Sequence, residues 1–163
     1  MRQSLAGYML GFIGVLALAL SSAFAAAPHE GVIDPGHGIG PAALGMTGGK
    51  LLEVLGTADF QKANEDGTVL YEWGLLSQGE LPDAVLWALT DGGAVAKVGT
   101  DGGTYQTSSG LGVGSLVGEF VKQYGSPAEN PAPGFYVFSQ GIGIAVGSGG
   151  SVATIWIEEA AAP

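Results

Sequence analysis

The sequence has no cysteine, so a disulfide framework, a thiolate metal site and a lipidated cysteine are all excluded. Positive charge is also scarce. Five Lys and Arg stand against fifteen Asp and Glu, for a formal net charge of −10. With the few bases scattered, nucleic acid and anionic membrane surfaces are poor partners, because both select clustered Lys and Arg. There are two histidines, and no serine sits in a G-x-S-x-G setting, so the usual nucleophile–base pairs are missing.

Apolar runs are short except at the start. Arg2 supplies a minimal positive region and Tyr8 to Leu20 an apolar stretch shorter than a comfortable bilayer span. Ser21-Ser22-Ala23-Phe24-Ala25 then offers an A-x-A site. Residues 1–25 are therefore expected to be a signal peptide, with export to the periplasm or the medium and no stable membrane insertion after cleavage.

What the chain has in plenty is glycine, thirty in all, set among β-branched and aromatic residues as tight turns would require. One stretch occurs twice. Val85 to Val98 (VLWALTDGGAVAKV) lies over Ile142 to Ile155 (IGIAVGSGGSVATI) without a gap, sharing Ala88/Ala145, Gly92/Gly149, Gly93/Gly150, Val95/Val152 and Ala96/Ala153. Asp91-Gly92-Gly93 and Ser148-Gly149-Gly150 each join two β-rich runs, a hairpin signal because such turns need positive φ.

Upstream of each copy a helix is expected. The first runs from Gly48 to Leu55, with Thr47 as N-cap, Gly56 beyond its end, and Leu51, Val54 and Leu55 on one face. The second runs from Ser115 to Tyr124, with Leu116, Val117, Phe120, Val121 and Tyr124 as its apolar stripe and Gly125 and Pro127 as its stop. Between helix and hairpin, Thr68 to Trp73 and Phe135 to Phe138 read as strands, and Asp59 to Gly67 and Ala128 to Gly134 as loops.

The predicted fold class is α+β: two tandem helix-strand-strand-strand units packed as one antiparallel sheet with helices on one face. Residues 26–43 form a flexible Pro- and Gly-rich lead-in, with Val32-Ile33 as a short edge strand. Residues 44–102 and 103–158 form the two units, and 159–163 a frayed tail. Neither small sheet would be stable alone, so one cooperative fold is expected.

The run Gly45-Met46-Thr47, Leu55-Gly56-Thr57-Ala58-Asp59 and Tyr71-Glu72-Trp73 resembles the G-M-T…L-G-x-P-D…W-x-Y pattern of the SmpA/OmlA outer-membrane assembly lipoproteins. Two such units behind a signal peptide resemble the architecture of the β-lactamase inhibitory proteins. The resemblance implies a helical element on a small antiparallel sheet. It does not carry lipoprotein anchoring, since there is no lipobox cysteine, and Ala58 stands where proline is usual.

Candidate chemistry is thin. Gly38-Ile39-Gly40-Pro41-Ala42-Ala43 fits G-x-G-x-x-A with Asp59 downstream, but Pro41 and the lack of a βαβ unit argue against a dinucleotide site. Gly48-Gly49-Lys50 lacks the first glycine and the hydroxyl residue of a phosphate loop. His29, Glu30, Asp34 and His37 are the one cluster of metal-ligand types, in a segment that reads as solvated loop. Glu65, Asp66, Glu72, Glu80 and Asp83 crowd the first unit's loops, where acids ordinarily serve solvation. No cofactor and no catalytic residue is predicted.

The aromatics carry more. Tyr71, Trp73, Trp87, Tyr136 and Trp156 are the predicted partner-binding residues, since Trp and Tyr dominate protein–protein hot spots. Filling the core is the competing use of the same rings. On the pattern Val152 to Ile157, Trp156 points away from the helices together with Val152 and Thr154, and is expected to be exposed. The expectation is a non-enzymatic, exported envelope module that binds another envelope or secreted protein through an aromatic sheet face and the loop 75–82. A secreted enzyme inhibitor is the alternative, and a small hydrolase using loop carboxylates a third reading.

Overall fold

The computed structural model describes residues 31–74 and 86–160. In them the strands are β1 Val32–Asp34, β2 Gly38–Ile39, β3 Ala42–Ala43, β4 Phe60–Ala63, β5 Val69–Trp73, β6 Leu86–Asp91, β7 Ala94–Thr100, β8 Gln106–Thr107, β9 Phe135–Phe138, β10 Ile142–Val146 and β11 Val152–Ile157. The helices are α1 Gly48–Leu55 and α2 Val117–Tyr124. The fold is α+β and mostly strand.

It contains two sheets rather than the one expected. The larger is antiparallel throughout, in the order β4-β5-β6-β7-β11-β10-β9. The smaller has the order β3-β2-β1-β8, with β1 and β8 parallel. This small sheet corrects the expectation that the segment up to residue 43 is a loose lead-in: Ile33, Ile39 and Ala42 are buried in the same core cluster as the large sheet. Val32-Ile33 is a strand as expected, but it lies inside the small sheet rather than at an edge, because β8, which β1 pairs with, comes about 70 residues later. Phe60–Ala63 is likewise a strand, not a loop. It pairs with β5 across a tight turn in which Asn64 N–H donates to Thr68 O and the Asp66 carboxylate accepts from Thr68 N–H at 3.0 Å.

Helix α1 has the predicted bounds. Thr47 Oγ1 accepts from Lys50 N–H at 3.2 Å, and Gly56, at φ 81°, returns its N–H to Leu52 O. Leu51 and Leu55 are buried, but Val54 is exposed. Helix α2 starts two residues later than expected, its first turn closed by Glu119, whose carboxylate accepts from Leu116 N–H at 2.9 Å. Phe120 is fully buried, whereas Leu116 and Val121 face solvent. Eight residues make only about two turns, too short for a broad apolar stripe to reach the core.

Both hairpins turn on glycine as expected. Gly92 and Gly93 have φ of 56° and 86°, and Gly149 and Gly150 of 90° and 81°. Each hairpin also carries a β-bulge three residues past its Gly-Gly turn. Leu89 pairs with Lys97 but Thr90 with Val95, leaving Ala96 as the extra residue; Ala145 pairs with Thr154 but Val146 with Val152, leaving Ala153. The bulge reverses the in–out alternation. Val95 therefore points to the same side as Val98, and Val152 to the same side as Ile155 and Ile157, and all five are buried. Val152 does not point away with Trp156, as strict alternation predicts.

Past the bulges the register sorts the sheet cleanly. Tyr71, Trp73, Leu86, Ala88, Val98, Ile157, Ile142 and Phe138 line one face, here the inner face, and belong to the core cluster. Glu72, Trp87, Gly99, Trp156, Gly143 and Val137 line the other, the outer face.

Candidate functional site

The five aromatic candidates are divided between these faces. Tyr71 and Trp73 stack on the inner face with ring centroids 6.1 Å apart, and Trp73 Nε1–H donates to Gly56 O at 3.2 Å. A Cβ on Gly48 would lie 2.9 Å from the Tyr71 hydroxyl, so α1 sits directly against that ring. Tyr136 pairs with Ile144 and packs against the core. These three are therefore not on the outer face. Alternation put them on one side of their strands but could not say which side the core would claim.

Trp87 and Trp156 do lie on the outer face, in an arrangement alternation alone does not reveal. Across four neighbouring strands the register reads Trp87–Gly99–Trp156–Gly143. Each indole lies down over the glycine of the next strand: a Cβ on Gly99 would enter the Trp87 ring, and one on Gly143 the Trp156 ring. Glycine leaves the space, and the indole fills it. Trp156 is consequently only 8% exposed, which corrects the expectation of an exposed ring. It belongs to the outer face and yet is buried, without joining the core cluster.

Side chains around Trp156 fix it further. Its Nε1–H donates to Glu158 Oε2 at 3.2 Å, and the same carboxylate pairs with Lys97 Nζ. Phe135, 43% exposed, leans on the indole at a centroid distance of 6.3 Å and an interplanar angle of 48°. The next row across the sheet, Thr154–Ala145–Phe135, sets two small side chains beside Phe135. The result is a cleft of about 340 Å³ lined by Trp87, Lys97, Phe135, Ala145, Thr154 and Trp156. Phe135, Lys97 and the two floor residues were not among the predicted site residues. The signal for them was the pairing of Gly99 and Gly143 with tryptophans, which requires the strand register.

Beside Trp87 in the register stands Glu72. Partial burial raises its carboxyl pKa above the usual value, and repulsion from Asp101 raises it further. Glu65 and Asp66 are exposed in the β4–β5 turn, apart from this face. Glu80 and Asp83, with the whole of loop 75–82, lie outside the described residues, as do His29 and Glu30. His37 Nδ1 is 3.5 Å from Asp34 Oδ1 on an exposed turn. Among the described residues no three metal-ligand side chains come together. The G-x-G-x-x-A stretch is the β2–β3 hairpin, with Gly38 paired to Ala43, and opens no helix. Gly48-Gly49-Lys50 is the first turn of α1, and Lys50 pairs with Glu53 at 2.8 Å.

The motif behind the family resemblance has structural work throughout. Thr47 caps α1, Gly56 ends it, Trp73 is bonded to Gly56, and the Asp59 carboxylate accepts Gly74 N–H at 2.7 Å. No family model matches the chain, and neither the comparison with curated proteins nor that with solved structures finds a match.

Proposed function

We propose that this chain is a non-enzymatic, exported module that binds another protein of the cell envelope or its surroundings through the outer sheet face. The observation that carries the reading is the apolar cleft between Trp87 and the Phe135–Trp156 pair. Indole groups are among the side chains that most often anchor protein–protein contacts, and phenyl groups are enriched at interfaces. The absence of a nucleophile motif from the sequence argues for a binding role over hydrolysis.

The architecture within this proposal is a tandem pair of SmpA/OmlA-like units whose helices share the inner face. Several matched contacts support it. Gly45 N–H donates to Val95 O and Gly114 N–H to Val152 O, both at 2.8 Å. Val95 N–H returns to Met46 O and Val152 N–H to Ser115 O, again at 2.8 Å. The two bulges fall on Ala96 and Ala153, which are equivalent in the sequence repeat. Leu51 and Phe120, the fourth residues of their helices, are each fully buried, and Phe120 meets Phe138 of the inner face at 6.4 Å.

The test is mild cross-linking and affinity capture of the tagged chain from its host's envelope and medium, beside its Trp87→Ala variant. A stoichiometric envelope protein lost in the variant supports the reading. A secreted enzyme captured in the same Trp87-dependent way moves it to an inhibitor. Capture indifferent to Trp87 removes the outer face from the proposal.

A further inference from the structure

We infer that the cleft takes a basic segment of the partner protein, an aromatic or long aliphatic side chain seated between Trp87 and Phe135 with a neighbouring Lys or Arg directed toward Glu72. This rests on the outer-face reading and adds the chemistry of the occupant.

Size and lining argue for a side chain. At about 340 Å³ the cleft is at the small end of ligand pockets, which run to roughly 300–1,000 Å³. Its floor is Ala145 and Thr154, and its walls are aromatic. Lys97, the one cation in the lining, already has its charge met by Glu158.

Charge argues for a basic neighbour. Glu72 stands beside Trp87 in the register, and Asp101 lies two residues beyond Gly99, close enough to disturb the Glu72 carboxyl. A Lys or Arg here would offset that repulsion and reach the Trp87 face, where a cation is attracted to the ring. A second copy of the chain is the wrong occupant, since fifteen acids against five bases set like charge against like.

The experiment titrates three capped peptides, Arg-Phe-Leu-Arg, Gln-Phe-Leu-Gln and Glu-Phe-Leu-Glu, into the full chain while following indole emission and heat. The arginine peptide should bind saturably, more tightly than the glutamine form and far more tightly than the glutamate form, and should weaken with salt. Trp87→Ala should weaken it by about tenfold or more, as loss of an anchor does. Glu72→Lys, an exchange on a partly exposed strand position, should reverse the order of the arginine and glutamate peptides, which no folding defect would do. Equal binding of all three peptides, with Glu72→Lys silent, overturns the basic occupant and leaves the outer-face reading standing. Tight binding of the arginine peptide that ignores Trp87→Ala overturns the cleft as its seat. Binding of N-acetylchitotetraose in place of every peptide overturns a protein occupant. If no probe binds, the inference fails; whether the outer-face reading fails with it is read from the Trp87 dependence of the captured partner.

Discussion

The two faces of the large sheet bury their aromatic residues by opposite means. On the inner face Tyr71, Trp73 and Phe138 are covered by side chains and backbone arriving from other elements: Gly48 of α1, Phe120 and Tyr124 of α2. On the outer face Trp87 and Trp156 are accommodated by the sheet itself, each lying in the space a glycine leaves on the adjacent strand. The inner face therefore depends on layers meeting, the outer face on what the sheet omits. A tryptophan on an outer face is thus not exposed simply because nothing from another layer covers it.

Four changes would sharpen or break this contrast. The largest effect is expected from Phe120→Ala, which empties the contact between α2 and the sheet and should cost about 3–5 kcal/mol in denaturant unfolding. Trp87→Ala, at a half-buried position, should cost clearly less. Equal losses would mean that the outer face is as integral to stability as the core.

Next comes Gly143→Ala. One methyl group there must displace the Trp156 ring, at a cost of about 1–3 kcal/mol by overpacking and with a red shift in indole emission as the ring swings into water. Gly118→Ala is the control. It lies in α2 with nothing within 4 Å of the added carbon, and should stabilise by up to about 1 kcal/mol. If Gly143→Ala were neutral or stabilising like the control, the ring would not depend on the glycine.

Smaller again is Tyr105→Phe. Tyr105 is fully buried in the shared core, its hydroxyl has no hydrogen-bond partner among the described residues, and burial pushes its pKa up to about 12. Removing the hydroxyl should raise stability by about 1 kcal/mol, measured by thermal or denaturant unfolding. A loss of stability would show that the hydroxyl is satisfied after all.

The smallest effect is a pH dependence at Glu72. Its folded-state pKa is raised, so the folded chain holds this proton more tightly than the unfolded chain does. The group favours folding below its ordinary carboxyl value, and that contribution is lost as pH rises through the raised value. Glu72→Gln should therefore gain melting temperature relative to the parent at neutral pH and gain little near pH 4. A difference independent of pH would remove the charge from the explanation.

Much of this was legible in the residues. Thr47 and Gly56 fixed α1 to the residue, because a side-chain cap and a positive-φ glycine are local devices. The two Gly-Gly turns announced the hairpins for the same reason. Period-2 alternation placed Trp156 and Thr154 on the side away from the core, and it failed two residues earlier at Val152, where the Ala153 bulge shifts the phase. Of the cleft, only the tryptophans were in view.

What the sequence by itself determined is thus whatever a few adjacent residues can enforce: caps, turns, the repeat, the acidic charge and the alternation along each strand. The tertiary structure alone decided what depends on partners distant in the chain. Residues 32–43 became a sheet because β8 comes to lie beside β1. Trp87 and Trp156 became half-buried and buried because the register sets each beside a glycine 12 or 13 residues away along the chain. Side-chain burial is a property of the pair, and the pairing exists only in the fold.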